Sequence, residues 1–204
     1  MNGKPVAAVI LAAGESRRMG RAKLLLPWGD GCVLDAVLDA VSAAPFDMRL
    51  LISGACREQV EAVAHRHSVA CRYNPDFGSG QSTSLITGLD AIPPGCAAMF
   101  LLADQPLMTA ALLRRMIEAY QRTDSPILRP RAADGSKGHP VLFAPALFPE
   151  LRCVSGDMGG RPVLLAHEND VLYIPVADGS IWQDVDTPED YDRLRGRDQG
   201  PATG

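Results

Sequence analysis

The sequence predicts an α/β protein in which helices cover a mostly parallel β-sheet. Short apolar runs alternate with segments of helical periodicity up to residue 121, which is the pattern of repeated βαβ units. The first run, residues 6–11, is apolar at every position, as expected for a central strand that is buried on both faces. Because the chain has 204 residues and 47% of them are hydrophobic, it can bury a large core as one domain.

The alternation places the elements of this first part in order. Strands are predicted at residues 6–11, 48–52, 69–73 and 98–102. Helices are predicted at residues 33–41, 58–65, 82–89 and 109–121. The helix at 109–121 is amphipathic, because Leu112, Leu113, Met116 and Ile117 recur with the spacing of one helix face.

The pattern changes after residue 125, where prolines at positions 126, 130, 140, 145 and 149 divide the chain into shorter pieces. We expect a small antiparallel excursion that includes residues 140–143, a helix near residues 161–167 and a returning strand at residues 171–176. Thr187 followed by Pro188 and two acidic residues is typical of a helix start. We therefore predict one domain over residues 1–195 and a flexible tail over residues 196–204.

The composition argues against several classes of protein. A net charge of −4 gives no reason to expect a nucleic-acid partner. The five cysteines are odd in number, widely spaced and without a CxxC pair, which favours reduced thiols in a cytoplasmic protein over a disulfide framework or a zinc ribbon. No apolar run approaches the roughly 18 residues that a membrane helix requires, so no membrane partner is expected.

The loop after the first strand has the composition of a phosphate-binding loop. It would lie at the carboxyl edge of the sheet, where open α/β folds bind ligands. The small residues Ala12, Ala13 and Gly14 let backbone N–H groups approach a ligand, and residues 15–23 contain four cations against one anion. Arg17, Arg18, Arg21 and Lys23 are these cations, and they suit a polyphosphate. The spacing matches neither GxxxxGK[ST] nor GxGxxG, and the loop could also be a solvated connection between two elements.

Two acidic segments are candidates for a metal site. Asp104 follows the strand at 98–102 and would therefore face the same edge of the sheet, where a carboxylate near a polyphosphate favours Mg²⁺. Asp184 and Asp186 would point to one side of an extended segment and could join Asp104 around one cation. The structural alternatives are a turn at Asp104 and a helix cap at Asp186.

A third candidate segment is rich in glycine and hydroxyl groups and leads into the helix at 82–89. Gly80 permits tight backbone geometry, and Ser82 and Ser84 could bind a base or a phosphate, although helix capping explains the hydroxyl groups equally well. His139 lies in a turn, and no metal partner lies at useful spacing from it. No motif of a nucleophilic triad is present.

Taken together, these motifs resemble those of the nucleotidyltransferases that act on the molybdenum cofactor. The resemblance covers about residues 6–194. Its blocks are residues 11–14, 16, 18–20, 23, 25–27, 74–75, 80–85, 104–106, 138–143, 156–157 and 184–190. It implies a single Rossmann-like three-layer nucleotidyltransferase domain that transfers a nucleoside monophosphate from a triphosphate to a phosphate monoester and releases pyrophosphate.

The resemblance also implies substrates and a cofactor. The cytidylyl-transferring branch is the nearest, because guanylyl-transferring relatives usually carry a second glycine where this chain has Ala13. CTP is therefore favoured over GTP, and molybdopterin or the molybdenum cofactor is the expected acceptor. Mg²⁺ is the expected metal, with Mn²⁺ as the alternative. An apo-molybdoenzyme or its chaperone is a further candidate partner.

Residue roles follow by position from the same resemblance. The nucleotide would be bound by Leu11, Ala12, Ala13, Gly14, Lys23, Gly80, Ser82 and Ser84. The catalytic group would comprise Lys23, Arg17, Arg18 and Asp104, with Asp104, Asp186 and, in reserve, Asp184 as metal ligands. Gly138, His139 and Asp157 would face the acceptor. The chain departs from the family pattern at Gln81, Ala103, Lys137 and Gly160, which bears on the choice of base and acceptor.

Two other functions remain open at this stage. The same transfer could use a different phosphorylated acceptor or GTP. Alternatively, a non-catalytic carrier could bind the finished dinucleotide cofactor and deliver it to a molybdoenzyme, although the presence of Asp104 and Lys23 favours catalysis. A redox-active dinucleotide-binding domain is disfavoured by the missing GxGxxG.

Overall fold

A computed structural model of the chain describes residues 3–16, 18–177 and 179–198. The strands are β1 (Val6–Ala12), β2 (Pro27–Trp28), β3 (Gly31–Cys32), β4 (Met48–Ser53), β5 (Ala70–Tyr73), β6 (Ala97–Leu102), β7 (Ile127–Ala132), β8 (Val141–Phe143) and β9 (Val171–Val176). The helices are α1 (Val33–Ser42), α2 (Arg57–Arg66), α3 (Gln81–Ala91), α4 (Ala110–Arg122), α5 (Phe148–Leu151), α6 (Arg161–Ala166) and α7 (Pro188–Asp198).

Seven of the strands form one sheet in the order β5-β4-β1-β6-β8-β7-β9, and β2 pairs with β3 in a separate hairpin. β1 is central and pairs in parallel with β4 on one side and β6 on the other. β8 runs antiparallel to both of its neighbours, β6 and β7. The prediction of a mostly parallel sheet with an antiparallel excursion in the second half is confirmed.

The core lies on both faces of this sheet. Alternate residues of β1 point to opposite faces, so that Ile10 packs in the layer of α1, α2 and α4 whereas Val9 packs in the layer of α3, α5 and α6. Both side chains have no solvent exposure. The three-layer architecture explains why β1 is apolar at every position and not at alternate ones.

The strand β7 was missed by the sequence analysis, which treated the prolines after residue 125 as breaks. Pro130 lies inside β7, which pairs with β9 in parallel over its whole length. A proline has no N–H to donate across a ladder. Here the side chain of Arg129 supplies the missing donor, because its Nε donates to the carbonyl oxygen of Gly138 at 2.9 Å, while Gly138 N donates to Pro130 O at 3.4 Å.

Thr187 caps the C-terminal helix α7, as predicted. Asp190 Oδ2 accepts from the backbone N–H of Thr187 at 3.1 Å, and Thr187 Oγ1 accepts from the N–H of Asp190 at 3.2 Å, which is a reciprocal cap. α7 continues to Asp198, and residues 199–204 of the predicted tail lie outside the described residues. All five cysteines are free thiols. In the described part of the chain, no helix combines the length and apolar character required to cross a bilayer.

Candidate active site

A cleft of about 530 Å³ opens at the carboxyl edge of the sheet, where β1 and β6 end side by side. Leu11 and Leu102 are register partners there, and Ala103 N donates to Leu11 O at 3.2 Å. The predicted residues that line this cleft are Leu11, Ala12, Ala13, Gly14, Arg18, Lys23, Gly80, Ser84, Asp104, Asp157, Asp184 and Asp186. Arg17 lies outside the described residues.

Lys23 lies at the centre of the charged part of the cleft. Its Nζ donates to a carboxylate oxygen of Asp104 and, at 2.8 Å, to Oδ1 of Asp186. Arg18 Nη2 donates to the other oxygen of Asp186 at 2.8 Å. Burial lowers the pKa of Lys23, but the two carboxylates outweigh it and hold the pKa above its ordinary value. The ammonium group is therefore charged and bridges two segments that lie far apart in sequence.

The backbone brings the two acidic segments together. Val185 N donates to Asp104 O at 2.9 Å, which fixes the extended segment beside the loop that follows β6. Gln105 reinforces the contact, because its Nε2 donates to Oδ1 of Asp184 at 2.7 Å and to Trp182 O at 2.9 Å. The side chain of Gln105 is buried, so these bonds are shielded from water.

The carboxylates outnumber the cations in the described part of the cleft. Burial, followed by the charge of Asp104, raises the pKa of Asp184 to about 6. Asp104 and Asp186 contact one ammonium group, so their oxygens surround a single point. Oxygen donors of this kind fit a hard cation such as Mg²⁺. No set of three acidic, histidine or cysteine side chains forms a ready-made metal cage among the described residues, so phosphate oxygens would have to complete the coordination.

The loop after β1 folds back on Ser16, which adopts a left-handed conformation with φ of 53°. Ser16 O accepts from Met19 N at 3.1 Å and from Gly20 N at 3.2 Å. Ser16 Oγ accepts from Lys23 N at 3.3 Å. These bonds place the lysine at the cleft, and a left-handed non-glycine residue at such a loop is a feature of functional sites.

The N-terminus of α3 forms the opposite wall. Asn74 Nδ2 donates to Ser84 Oγ at 2.9 Å, and Ser84 lines the cleft. Ser82 is buried and is not among the residues that line the cleft, and its hydroxyl has no hydrogen-bond partner among the described residues. Gly80 has φ of 111°, and a Cβ built on it would lie 2.5 Å from the carbonyl carbon of Gly156. The turn Gly156–Met158 therefore packs directly on α3 and brings Asp157 to the cleft.

A second cavity of about 570 Å³ adjoins the first, and Leu11, Gln81 and Asp157 line both. Part of its wall is apolar, with Phe100 and Phe143 in edge-to-face contact at 6.2 Å. The predicted acceptor residue His139 lines this cavity. Gly138 is not among its lining residues. A Cβ on Gly138 would collide with the indole of Trp182, so this glycine allows Trp182 to pack closely on the backbone.

His139 gives a testable effect on stability. Burial and the charge of Arg129 lower the pKa of His139 to about 4 from 6.5. Between pH 6.5 and 4, His139 is protonated in the unfolded chain but neutral in the folded chain. The free energy of unfolding therefore falls as pH decreases from about 6.5 to 4. The full loss is about 3 kcal/mol. We expect His139→Gln to remove this component, as measured by urea unfolding at several pH values.

The control for this prediction is His65→Gln, because His65 is exposed on α2. That variant should retain the pH dependence of the parent protein. Equal pH dependence in the parent protein and His139→Gln would contradict the prediction.

Several residues of the two cavities were missed by sequence reasoning. They include Phe77 and Gln81 in the first cleft, Gln105 beneath it, and Arg129 and Arg161 in the second cavity. Gln81 was noted as a departure from the family pattern but received no role. Arg129 could have been found only by recognising β7 as a strand, since alternation along a strand would then have assigned its side chain to one face.

Comparisons with known proteins agree with this architecture. The family described as the MobA-like NTP transferase domain matches residues 8–171. Molybdenum cofactor cytidylyltransferase of Escherichia coli K12 is 29% identical over 187 residues, covering 90% of this chain and 92% of the relative. Nicotine blue oxidoreductase of Paenarthrobacter nicotinovorans is 30% identical over 202 residues, covering 93% of this chain and 96% of the relative.

A solved structure is also similar over nearly the whole chain. Rv0371c from Mycobacterium tuberculosis H37Rv superposes with a TM-score of 0.84 and 33% identity, covering 96% of this chain and all of that one. A further crystal structure of Rv0371c, described as a complex with manganese, has a TM-score of 0.80 and 32% identity, covering 94% of this chain and 98% of that one.

Proposed function

The chain belongs to the family of the MobA-like NTP transferase domain and is a nucleotidyltransferase, and on that premise we propose that it transfers CMP from CTP to the terminal phosphate of molybdopterin or the molybdenum cofactor. Pyrophosphate is the second product. The observation that carries the proposal is the contact of Lys23 with both Asp104 and Asp186 in a cleft at the carboxyl edge of the sheet. This edge is where open α/β folds bind nucleotides.

The triphosphate lies in the first cleft along the loop after β1. An ammonium group has three N–H donors, and Lys23 uses two of them on Asp104 and Asp186, so the third is available to a phosphate oxygen. Arg18 is exposed at the mouth of the cleft and offers further guanidinium donors. These cations offset the charge that builds on the departing pyrophosphate.

The reaction is an in-line displacement at the α-phosphorus. An oxygen of the acceptor phosphate forms a bond to the α-phosphorus, and the bond from that phosphorus to the bridging oxygen of the β-phosphate breaks. A phosphate monoester has a second pKa of about 6, so at neutral pH it is mostly a dianion and needs no general base. Repulsion between the two anions is then the main obstacle, and positioning with electrostatic stabilisation supplies most of the catalysis.

Asp104 and Asp186 would hold the divalent metal, with Asp184 beside them. The metal would supply positive charge to the reacting phosphates. Mg²⁺ is the ion we propose, and the manganese complex of Rv0371c supports Mn²⁺ as the alternative. Gln105 holds the carboxylate of Asp184 beside Asp104 and Asp186 through its 2.7 Å hydrogen bond.

Two observations support CTP as the donor. Ala13 lines the cleft at the position where guanylyl-transferring relatives usually carry glycine. The similarity to the E. coli cytidylyltransferase extends over 90% of this chain.

The test is turnover with each of the four nucleoside triphosphates and molybdopterin, measured as pyrophosphate release. We expect kcat/KM to be at least about 10-fold higher with CTP than with GTP, since a difference of this size needs only 1–2 kcal/mol of pocket fit. Ala13→Gly should reduce the ratio. Equal use of CTP and GTP would contradict the base assignment. Release only with another phosphorylated acceptor would contradict the acceptor.

The similarity to nicotine blue oxidoreductase favours one alternative, a redox activity on the same fold. Oxidation of NADH or NADPH in the presence of an acceptor dye, without pyrophosphate release from any triphosphate, would support it. Tight binding of the finished dinucleotide without turnover would instead support a carrier that delivers the cofactor to an apo-molybdoenzyme.

A further inference from the structure

The second cavity is lined by two arginines that form no ion pair with any residue that the structure describes. Lys137, at its rim, forms an ion pair with Glu168 at 3.1 Å. Arg129 and Arg161 also line the cavity, and neither forms an ion pair within the described residues. In the first cleft, by contrast, Lys23 and Arg18 are both paired with carboxylates. The two cavities therefore differ in their electrostatic state although they share a wall.

Arg129 is held in position by neutral groups. Its Nε donates to Gly138 O at 2.9 Å and its Nη2 to Lys137 O at 3.2 Å. A guanidinium has five N–H donors, so three remain for a ligand in the cavity. Burial lowers the pKa of Arg129, Tyr173 partly opposes this, and the charge of Arg161 lowers the pKa further. An anion bound in the cavity near both residues would offset this repulsion and use the remaining donors of Arg129.

The apolar part of the cavity strengthens the binding of such an anion. Phe100, Phe143 and Leu85 line the same space and give one part of the cavity an apolar surface. A charge-assisted hydrogen bond is stronger where water is excluded. The ligand that fits is thus a molecule with an apolar or aromatic body and a negative group directed at the arginines.

We propose that Arg129 and Arg161 form an anion-binding subsite that holds a second anionic group of the acceptor, separate from the phosphate that attacks CTP. The identification of the ligand as the acceptor rests on the proposed function. The attacking phosphate must reach the first cleft, and Leu11, Gln81 and Asp157 mark the junction through which it passes. Neither Arg129 nor Arg161 lines that first cleft, so the group they bind is not the attacking phosphate. The subsite selects acceptors by their charge at a point away from the reaction.

The subsite can be tested without turnover, with sulfate as a dianion probe. The full chain without metal or nucleotide is titrated with sulfate while the arginine Nε–H resonances are followed by ¹⁵N NMR, and the resonance lost in Arg129→Gln identifies Arg129. We expect a saturable shift of this resonance and a dissociation constant at least about 10-fold weaker in Arg161→Gln. Arg131→Gln is the matched control, because Arg131 lies on the same strand, is exposed and does not itself line the cavity.

An Arg129 resonance that does not respond to sulfate, or an equal loss of affinity in Arg131→Gln, would overturn the subsite. Arg161→Gln guards against misfolding of Arg129→Gln, because Arg161 is exposed and its removal leaves the ladder around Pro130 intact. The thermal unfolding midpoint of each variant is compared with that of the parent protein to check that the variant is folded.

Kinetics then test the assignment to the acceptor. Arg129→Gln and Arg161→Gln are expected to raise KM for the acceptor by about 10-fold to 100-fold and to leave KM for CTP within about 3-fold, with partial recovery in Arg129→Lys. A rise in KM for CTP in its place would overturn the assignment. If no triphosphate supports turnover, the proposed function fails, whereas the sulfate titration still decides whether the subsite exists.

Discussion

Replacing Asp104 with asparagine is expected to lower kcat by about 1000-fold while the protein stays folded. Asp104 accepts a hydrogen bond from Lys23 and is one of the two carboxylates that surround the same ammonium group. Asparagine keeps the shape but removes the charge that would hold a metal beside the reacting phosphates, and groups of this kind contribute two to three orders of magnitude to kcat. Lys23 retains its 2.8 Å bond to Asp186, so its position is preserved.

The measurement is pyrophosphate release from CTP with molybdopterin, alongside thermal unfolding. The matched control is Asp90→Asn, which also replaces a paired aspartate, because Asp90 is exposed and contacts Arg152 at 3.0 Å away from both cavities. It should turn over at the parent rate. Turnover of Asp104→Asn within about 10-fold of the parent protein would contradict the assignment of Asp104 to the catalytic group.

Replacing Gly80 with alanine is expected to destabilise the protein by about 2–4 kcal/mol and to abolish tight nucleotide binding. Gly80 has φ of 111° and ψ of 166°, a region that is almost closed to residues with a side chain. The added Cβ would also lie 2.5 Å from the backbone of Gly156, and neither backbone can move without displacing the turn or the start of α3. The unfavourable backbone dihedral angles and the steric clash both lower the free energy of unfolding.

Gly78→Ala is the control for this prediction. Gly78 lies in the same loop, lines the same cleft and has open space around its would-be Cβ. We expect its free energy of unfolding to change by less than about 0.5 kcal/mol, measured by urea denaturation, and its affinity for CTP to change little. Equal effects of the two substitutions would show that the contact between Gly80 and Gly156 does not limit stability.

The first half of the fold was predictable because its signals are local. Burial on both faces makes β1 apolar throughout. The apolar face that includes Leu113 and Met116 predicts the helix α4. β7 was not predictable in this way, since Pro130 normally argues against an inner strand. The donor that compensates for it comes from the side chain of Arg129, and no rule of local propensity describes such a replacement.

Some residues of the candidate site could likewise be predicted from the sequence, and others could not. Lys23 and Asp104 both follow strands that end at one edge, so topology alone places them near each other. The approach of Asp186 depends on a backbone bond between Val185 and Asp104, and its place in the site was expected from the acidic pattern and the family resemblance. The pair Arg129 and Arg161 depends on β7 and α6 meeting around a cavity, which no short motif encodes.

The contact between Gly80 and Gly156 has an evolutionary consequence. Backbone from each half of the chain meets here with no room for a Cβ on Gly80, which would also lie 2.9 Å from Oδ1 of Asp157. A substitution at position 80 would therefore require a compensating shift of the turn at position 156. We therefore expect positions 80 and 156 to be retained together, whereas the exposed Arg161 can change without disturbing the backbone. Descendants that acquire new acceptors should retain both glycines and diversify around Arg129 and Arg161.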